Sequence, residues 1–385
     1  MRFSVDAHVI GRKLTGNEVY IRNLLDAFGG LDGDSEFFVY LSLPDTFPSV
    51  PARFQKRLVS GNPFVRLGLD LPRCLMTDGP DLLHVQYTAP LGCRVPVVVS
   101  VHDVSFLEHP EWFPFLRSLQ LRYTVSRTIR TAARIITMSE FSRRAIARNY
   151  GLDEAGIAVV PAAVSPLFHP MSREAAAAFV SRRFGVNAPI VLCVGDLQPR
   201  KNHLRLIEAF AAMLAAHPEL PHHLVLTGKD TWYGGRVRAA AERSSVRPRI
   251  HFTGFVDDAE LQYLYGACEL FVFPSLYEGF GFPVLEAMAC GRAVACSNVT
   301  ALPEVADGAA AFFHPESPEE IARAMRDVLL DRALRTRLER LGQVNAARFS
   351  WRRTGAQTLA VYRSVAEEGS RRTHRRVKAA PAVGA

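Results

Sequence analysis

The sequence has no long apolar run, no closely paired cysteines and none of the familiar glycine-rich nucleotide loops. Spanning a bilayer takes about 20 consecutive apolar residues, and no stretch of the chain comes near that. The opening Met1-Arg2-Phe3-Ser4-Val5-Asp6 offers no apolar stretch of signal-peptide length, so a cytoplasmic protein is expected. The 6 cysteines (Cys74, Cys93, Cys193, Cys268, Cys290, Cys296) are scattered, with no Cys-x-x-Cys pair and no histidines at zinc spacing. They read as buried free thiols in a reducing compartment. No Gly-x-Gly-x-x-Gly follows the first apolar segment, which argues against a dinucleotide oxidoreductase, and no Gly-x-x-x-x-Gly-Lys-Ser/Thr exists, which excludes a P-loop enzyme. Asp32-Gly33-Asp34 has the spacing of an Asp-x-Asp metal motif but lies between a helix pattern and a strand pattern, where it reads as a turn. No metal site is expected.

What is present is a chain of 385 residues, 48% hydrophobic and 22% charged, the size and composition of a soluble globular protein with two domains. The net charge of +8 is unevenly spread. Residues 112–150 carry Arg117, Arg122, Arg127, Arg130, Arg134, Arg143, Arg144 and Arg148 against Glu140 alone. The last fifteen residues add Arg371, Arg372, Arg375, Arg376 and Lys378 with no acid, and the remainder is mildly acidic. Such patches attract polyanions, whether a phosphate-rich membrane surface or nucleic acid. A solvated helix face and a structureless tail from 371 to 385 explain the same charges.

Strand and helix patterns alternate along the chain, which predicts α/β architecture with mostly parallel sheets. Strands are expected at 3–9, 37–41, 82–85, 95–101 and 135–138, with Val159–Val160 closing the first half. A loop over 11–16 precedes a helix capped at Asn17, whose Ile21, Leu24, Leu25 and Phe28 fall on one face. Pro161, Pro166 and Pro170 then mark a linker. The pattern restarts with strands at 190–194, 224–227, 250–252, 270–273 and 293–296, followed by helices over 318–368. Two β/α domains are expected, spanning 1–165 and 166–355, with a helix at 356–370 returning to the first. Their ligand should lie beyond the carboxyl ends of the strands, between the domains.

The strongest chemical signal is Pro274-Ser-Leu-Tyr-Glu-Gly-Phe-Gly-Phe-Pro-Val-Leu-Glu-Ala-Met-Ala-Cys-Gly291. A strand ends, a glycine-containing loop over Gly279, Phe280 and Gly281 follows, and Pro283 suits the first turn of a helix. The amides of that turn suit a diphosphate. Glu278 on the loop and Glu286 near the helix start can hold sugar and ribose hydroxyls. A second signal, Gly195-Asp-Leu-Gln-Pro-Arg-Lys201, sets Arg200 and Lys201 at the mouth of another β/α unit, where a guanidinium fork and an ammonium suit a diphosphate leaving group. His102 ends the apolar run 97–101, a position more often structural than functional, and Asp103 either orients it or begins the next turn.

The two glutamates, with seven residues between them in Glu-Gly-Phe-Gly-x-Pro-x-Leu-Glu-Ala-Met, resemble the hallmark of glycosyltransferase family 4. The resemblance implies the GT-B fold, two Rossmann-like domains facing a central cleft, and transfer with retention of configuration. It places Glu278 by the donor sugar and Glu286 on the nucleotide ribose. Lys201, with Arg200, would neutralise the departing phosphate, although many relatives carry an arginine where this chain has Asp196. His102 would lie near the donor sugar, and Gly16 of the first loop near the donor phosphates. Glu304, in the loop after 293–296, would border the nucleotide. The runs from His102 to Phe106 and from His109 to Phe113, with Ser-Asn-Val-Thr-Ala-Leu-Pro-Glu304, look most like bacterial mannosyl- or rhamnosyltransferases of O-antigen and other surface polysaccharide. That implies GDP-mannose as co-substrate with no separate cofactor, and a glycan or polyprenyl-diphosphate-linked acceptor at the inner membrane face. A UDP-sugar donor, a sugar-nucleotide epimerase or phosphorylase, and a non-enzymatic polyanion binder are the alternatives. No nucleic-acid partner is expected.

Overall fold

Among the described residues thirteen short strands, all paired in parallel, form two sheets. The structure, a computed structural model, describes residues 1–12 and 15–379. It divides into two units. The first comprises Met1–Met138, Ser142–Ala162 and the segment from Trp351, and the second comprises Ser139–Phe141 and Ala163–Ser350.

The first unit holds β1 (Arg2–Asp6), β2 (Glu36–Leu41), β3 (Gln55–Leu58), β4 (Leu82–Gln86), β5 (Val97–Ser100), β6 (Arg134–Thr137) and β7 (Ile157–Val159). Their order is β3-β2-β1-β4-β5-β6-β7, so the direction of winding reverses between β1 and β4. In doubly wound sheets that reversal opens a crevice at the carboxyl ends of the strands. The central strands are buried on both faces, as the runs Leu-Leu-His-Val-Gln of β4 and Val-Val-Val-Ser of β5 require. Helix Trp351–Ala379 belongs to this unit. Leu359, Tyr362, Val365 and Ala366 of this helix are buried, and Gly355 leaves no room for a Cβ, which would come within 2.9 Å of Ala27 and Leu31 side-chain atoms. The Tyr362 hydroxyl lies 2.5 Å from His84 Nδ1, a buried contact that anchors the helix to β4.

The second unit holds β8 (Ile190–Val194), β9 (His223–Thr227), β10 (Ile250–Gly254), β11 (Cys268–Phe273), β12 (Ala293–Ser297) and β13 (Ala311–Phe313). The order β10-β9-β8-β11-β12-β13 reverses between β8 and β11. Leu192 of β8 pairs with Phe271 of β11, so the loops that follow these two strands emerge side by side. A core of Leu206, Phe210, Leu226, Val272, Met325 and their neighbours fixes one face of this sheet.

Several expectations change. The first helix starts at Thr15, so Gly16 sits in its first turn and Asn17 is not its cap. The C-terminal helix runs through Ala379, so the tail expected without structure from 371 is helical to that point, and 380–385 lie outside the described residues. Asp32-Gly33-Asp34 is the turn expected: Asp32 Oδ1 accepts from the amides of Asp34 and Ser35. All six cysteines are free thiols. Among the described residues no helix is long and apolar enough to cross a membrane.

Candidate functional site

In the second unit the loops after β8 and β11 meet at the switch point. After β8 the chain passes Gly195, turns through the short 3-10 segment Pro199–Lys201, and enters helix His203–Ala216 through Asn202 at φ 59°. Asn202 holds that left-handed corner by donating from Nδ2 to the carbonyls of Pro274 (3.1 Å) and Pro315 (2.7 Å). The Leu276 amide donates to the Arg200 carbonyl at 2.8 Å. These bonds lock the cationic loop to the segment that carries the glutamates. Gly195 matters for a local reason: a Cβ there would lie 3.0–3.2 Å from the aliphatic stem of Lys201, which packs against the bare backbone.

Lys201 Nζ donates to Glu278 Oε1 at 2.6 Å, and Arg200 donates to Glu278 Oε2 at 2.9 Å and to the Tyr277 carbonyl at 3.1 Å. Lys201 and Glu278 are both buried, and Nζ also stands 4.7 Å from the centroid of the Phe273 ring. Burial alone would raise the Glu278 carboxyl, but Arg200 and Lys201 overcome it and bring it down to about 2. Burial draws the Lys201 ammonium below its usual range, with Glu278 opposing. The result is a cluster of two cations and one carboxylate, one positive charge in excess, in the loops that follow β8 and β11.

Glu286 is the fifth residue of helix Phe282–Ala289, near its start as expected, and that helix is capped by Gly281, which has φ 115°. A Cβ on Gly281 would meet Leu302 at 2.7 Å, so the loop closes only with glycine there. Glu286 Oε2 accepts from the Tyr265 hydroxyl at 2.9 Å. Burial pushes its carboxyl up to about 7, with Tyr265 and Lys201 opposing and Asp258 assisting. Lys201 thus acts electrostatically on both glutamates. Gly279 and Phe280 complete the loop between them, and the Gly279 carbonyl accepts from Ser139 Oγ at 2.7 Å. Among the described residues no hydrogen bond or ion pair draws Glu304 into this cluster. Its two carboxylate oxygens accept from the amides of Glu140 (2.8 Å) and Phe141 (3.2 Å), residues that group with the second unit.

In the first unit His102 follows β5 and is 5% exposed. Its Nε2 lies 3.2 Å from Gln86 Oε1, and the Tyr20 ring meets it edge-on at 4.7 Å. Nδ1 is buried with no hydrogen-bond partner among the described residues. Burial lowers its pKa to about 4, so the ring is neutral at physiological pH and can act as a hydrogen-bonding group, not as a cation. Asp103 begins the next turn: its Oδ1 accepts from the amide (2.9 Å) and hydroxyl (2.6 Å) of Ser105. Gly16 makes no contact with His102 among the hydrogen bonds of the described residues.

Sequence reasoning missed Tyr265, Asn202 and Gln86. Asn202 directly follows the Arg-Lys pair, and asparagine is favoured in left-handed corners, which was a usable signal. Tyr265 and Gln86 reach their partners only through the fold.

Comparison with known proteins finds relatives for both units. A model of the family described as Glycosyl transferases group 1 matches residues 177–344, and one described as Glycosyltransferase Family 4 matches residues 14–166. The O-antigen chain mannosyltransferase B of Escherichia coli is 32% identical over 69% of this chain and 70% of that protein. The serotype-specific mannosyltransferase WbdA of Escherichia coli is 38% identical over 45% of this chain, but only 21% of that longer protein is covered. In fold, the sucrose-phosphate synthase of Thermosynechococcus elongatus matches with a TM-score of 0.76 at 20% identity, over 95% of this chain and 99% of that one. Anabaena HepE, solved in complex with UDP and glucose, matches with a TM-score of 0.74 at 18% identity, over 94% of this chain and all of that one. These likenesses establish two β/α units of the GT-B kind.

Proposed function

The chain belongs to glycosyltransferase family 4, and on that premise we propose that it transfers a mannosyl residue from GDP-mannose, with retention and without a metal ion, to a polyprenyl-diphosphate-linked glycan of a surface polysaccharide. The observation that carries the reading is the pair of cations, Lys201 and Arg200, held on Glu278 at 2.6 and 2.9 Å at the switch point of the second sheet. A nucleoside diphosphate leaves with growing negative charge. A preorganised ammonium and guanidinium in a buried setting stabilise that charge in the role a metal ion plays elsewhere. Glu278, kept ionised by the same cations, is placed to accept from a hydroxyl of the transferred sugar. Glu286 accepts from the ribose, and the amides at the start of helix Phe282–Ala289 face the phosphates. His102, neutral, donates or accepts a hydrogen bond at the sugar without adding charge. Mannose is preferred because mannosyltransferases of Escherichia coli are among the relatives that share 32% and 38% identity with this chain.

The test is turnover of GDP-mannose by the purified protein with lipid-linked acceptor and chelator present. Product should form, and Lys201→Ala should slow it by about a hundredfold or more. Turnover of UDP-glucose in its place, or dependence on added divalent metal, would contradict the donor and the metal-free reading respectively.

The acceptor's membrane leads to a peripheral location on the cytoplasmic face. What supports it is helix Phe115–Thr131, which turns Phe115, Leu116, Leu119 and Tyr123 outward, Phe115 at 78% and Tyr123 at 70% exposure. The exposed Arg117, Arg122 and Arg130 lie on the same helix. Aromatic and apolar groups among arginines are the chemistry of an interfacial helix on anionic lipid.

A further inference from the structure

The switch point of the first sheet, between β1 and β4, carries charged groups that the reaction above does not use. Asp6 ends β1 and is buried. Its Oδ1 lies 3.0 Å from His8 Nδ1, and its Oδ2 lies 3.4 Å from Arg66 Nε. Arg66 comes from a separate segment, the single π-turn Arg66–Asp70, and its side chain is only 7% exposed. That 3.4 Å approach to Asp6 is its only polar contact among the described residues, and Nε itself is buried without a hydrogen bond. A guanidinium carries five N–H donors. The Nε–H is buried unmatched, and native proteins seldom leave such a donor unserved.

A second guanidinium stands close by. Arg12 is tied at Nε to Ser42 Oγ (3.0 Å) and at one terminal nitrogen to the Gly61 carbonyl (3.1 Å), and its charge acts on Arg66. Ser42 Oγ in turn donates to the His8 carbonyl at 2.7 Å, so the three basic residues are braced by one network. Glu18, the buried carboxylate of the following helix, is engaged elsewhere, by the Gly11 amide at 2.9 Å and by Arg22. Among the described residues Asp6 is the only carboxylate that pairs with either guanidinium. The Asp6 contact fixes His8 at Nδ1 and leaves Nε2 as a further group with no protein partner among the described residues.

We propose that His8, Arg12 and Arg66 form an anion subsite of the first unit that takes the phosphate or diphosphate group of the acceptor. A planar fork from the segment Arg66–Asp70, with a second guanidinium and an imidazole from the turn after β1, suits a tetrahedral oxyanion with more than one charge. A carboxylate, with one charge and one plane, would leave part of this set idle. The word acceptor rests on the glycosyltransferase reading; the anion site does not.

The experiment uses the full chain carrying Arg200→Ala and Lys201→Ala, which removes the cation pair of the second unit. Inorganic pyrophosphate and decyl diphosphate are titrated into it by calorimetry, with no nucleotide present. Both should bind, and Arg66→Gln on that background should weaken both by about tenfold or more, the loss expected for a charge-assisted hydrogen bond. His8→Gln, which leaves the Arg66–Asp6 pair in place, should weaken them by a smaller factor. This second variant decides the matter if Arg66→Gln fails to fold. Equal affinities with and without these side chains, or no binding at all, would overturn the site. Binding of pyrophosphate without binding of the decyl ester would overturn its assignment to an acceptor and leave a free-anion site. Because no nucleotide is used, a failure here leaves the donor reading standing, and a failure of GDP binding leaves this result standing.

Discussion

Glu278 and Glu286 are both buried in the second unit, yet their neighbours drive them in opposite directions. Two cations hold Glu278 down at about 2, while burial lifts Glu286 to about 7 because only Tyr265 and the more distant Lys201 oppose it. The pH consequences differ in sign. Glu286 is raised above its unfolded value, so its protonated form favours the fold, and stability is lost as pH rises from the ordinary carboxyl range through about 7. Glu286→Gln should therefore stabilise the protein at pH 8 by on the order of 2 kcal/mol, read from denaturant melts, with little effect at pH 4. The same substitution should abolish the pH dependence of nucleoside diphosphate affinity, which in the native chain falls as pH drops below about 7 and the ribose acceptor is protonated. Unchanged stability at pH 8 would contradict the buried, uncompensated carboxylate. Both glutamates, Arg200 and Lys201 were legible in the sequence, because each sits in a local pattern. Their pairing across 77 residues was not legible, nor was Tyr265, because nothing local in a helix pattern says which side chain will face a buried carboxylate.

At the scale of elements, the strands with continuous apolar runs were legible to within two or three residues. Edge strands β3 and β13 were missed. β3 is the polar Gln-Lys-Arg-Leu, and β13 is three residues long, so neither has the alternation or apolar content that marks a strand. The early start of the first helix was hidden by Gly16, a residue that ordinarily argues for a loop. The C-terminal helix offers a direct test of how the first unit is closed. Tyr362 reaches His84 at 2.5 Å, and His84 Nε2 lies 2.8 Å from Ser100 Oγ in a fully buried chain. Burial lowers His84 to about 3, so it is a neutral link in that chain. Tyr362→Phe removes one hydroxyl and strands a buried ring nitrogen, which should cost about 1–3 kcal/mol in thermal or denaturant unfolding. A loss below a few tenths of a kcal/mol would mean that apolar packing alone holds the helix.

At the scale of the whole molecule, the arginine excess in residues 112–150 was visible from composition, but its partition was not. Arg134 and Arg148 pair with Glu368 and Glu108, and Arg143 with Glu154. Arg117, Arg122 and Arg130 make no ion pair among the described residues and stand beside the outward apolar groups of helix Phe115–Thr131. Flotation with vesicles containing anionic lipid should carry the protein to the top. Replacing Arg117, Arg122 and Arg130 by Gln should cut the floated fraction several-fold, since each cation contributes about 1 kcal/mol at such a surface. Phe115→Ser with Leu119→Ser should do so even at raised salt. Flotation unchanged by both sets would remove the membrane-docking role of this helix.

The central claim is that the second unit holds a nucleoside diphosphate through Glu286 and the Arg200–Lys201 pair. Calorimetric titration of GDP, UDP and ADP into the purified chain, with chelator present and with Glu286→Ala as control, tests it most directly. The account predicts that GDP binds best, without metal, and that binding is lost in the variant. Absence of binding by all three, or equal GDP affinity in Glu286→Ala, would contradict it.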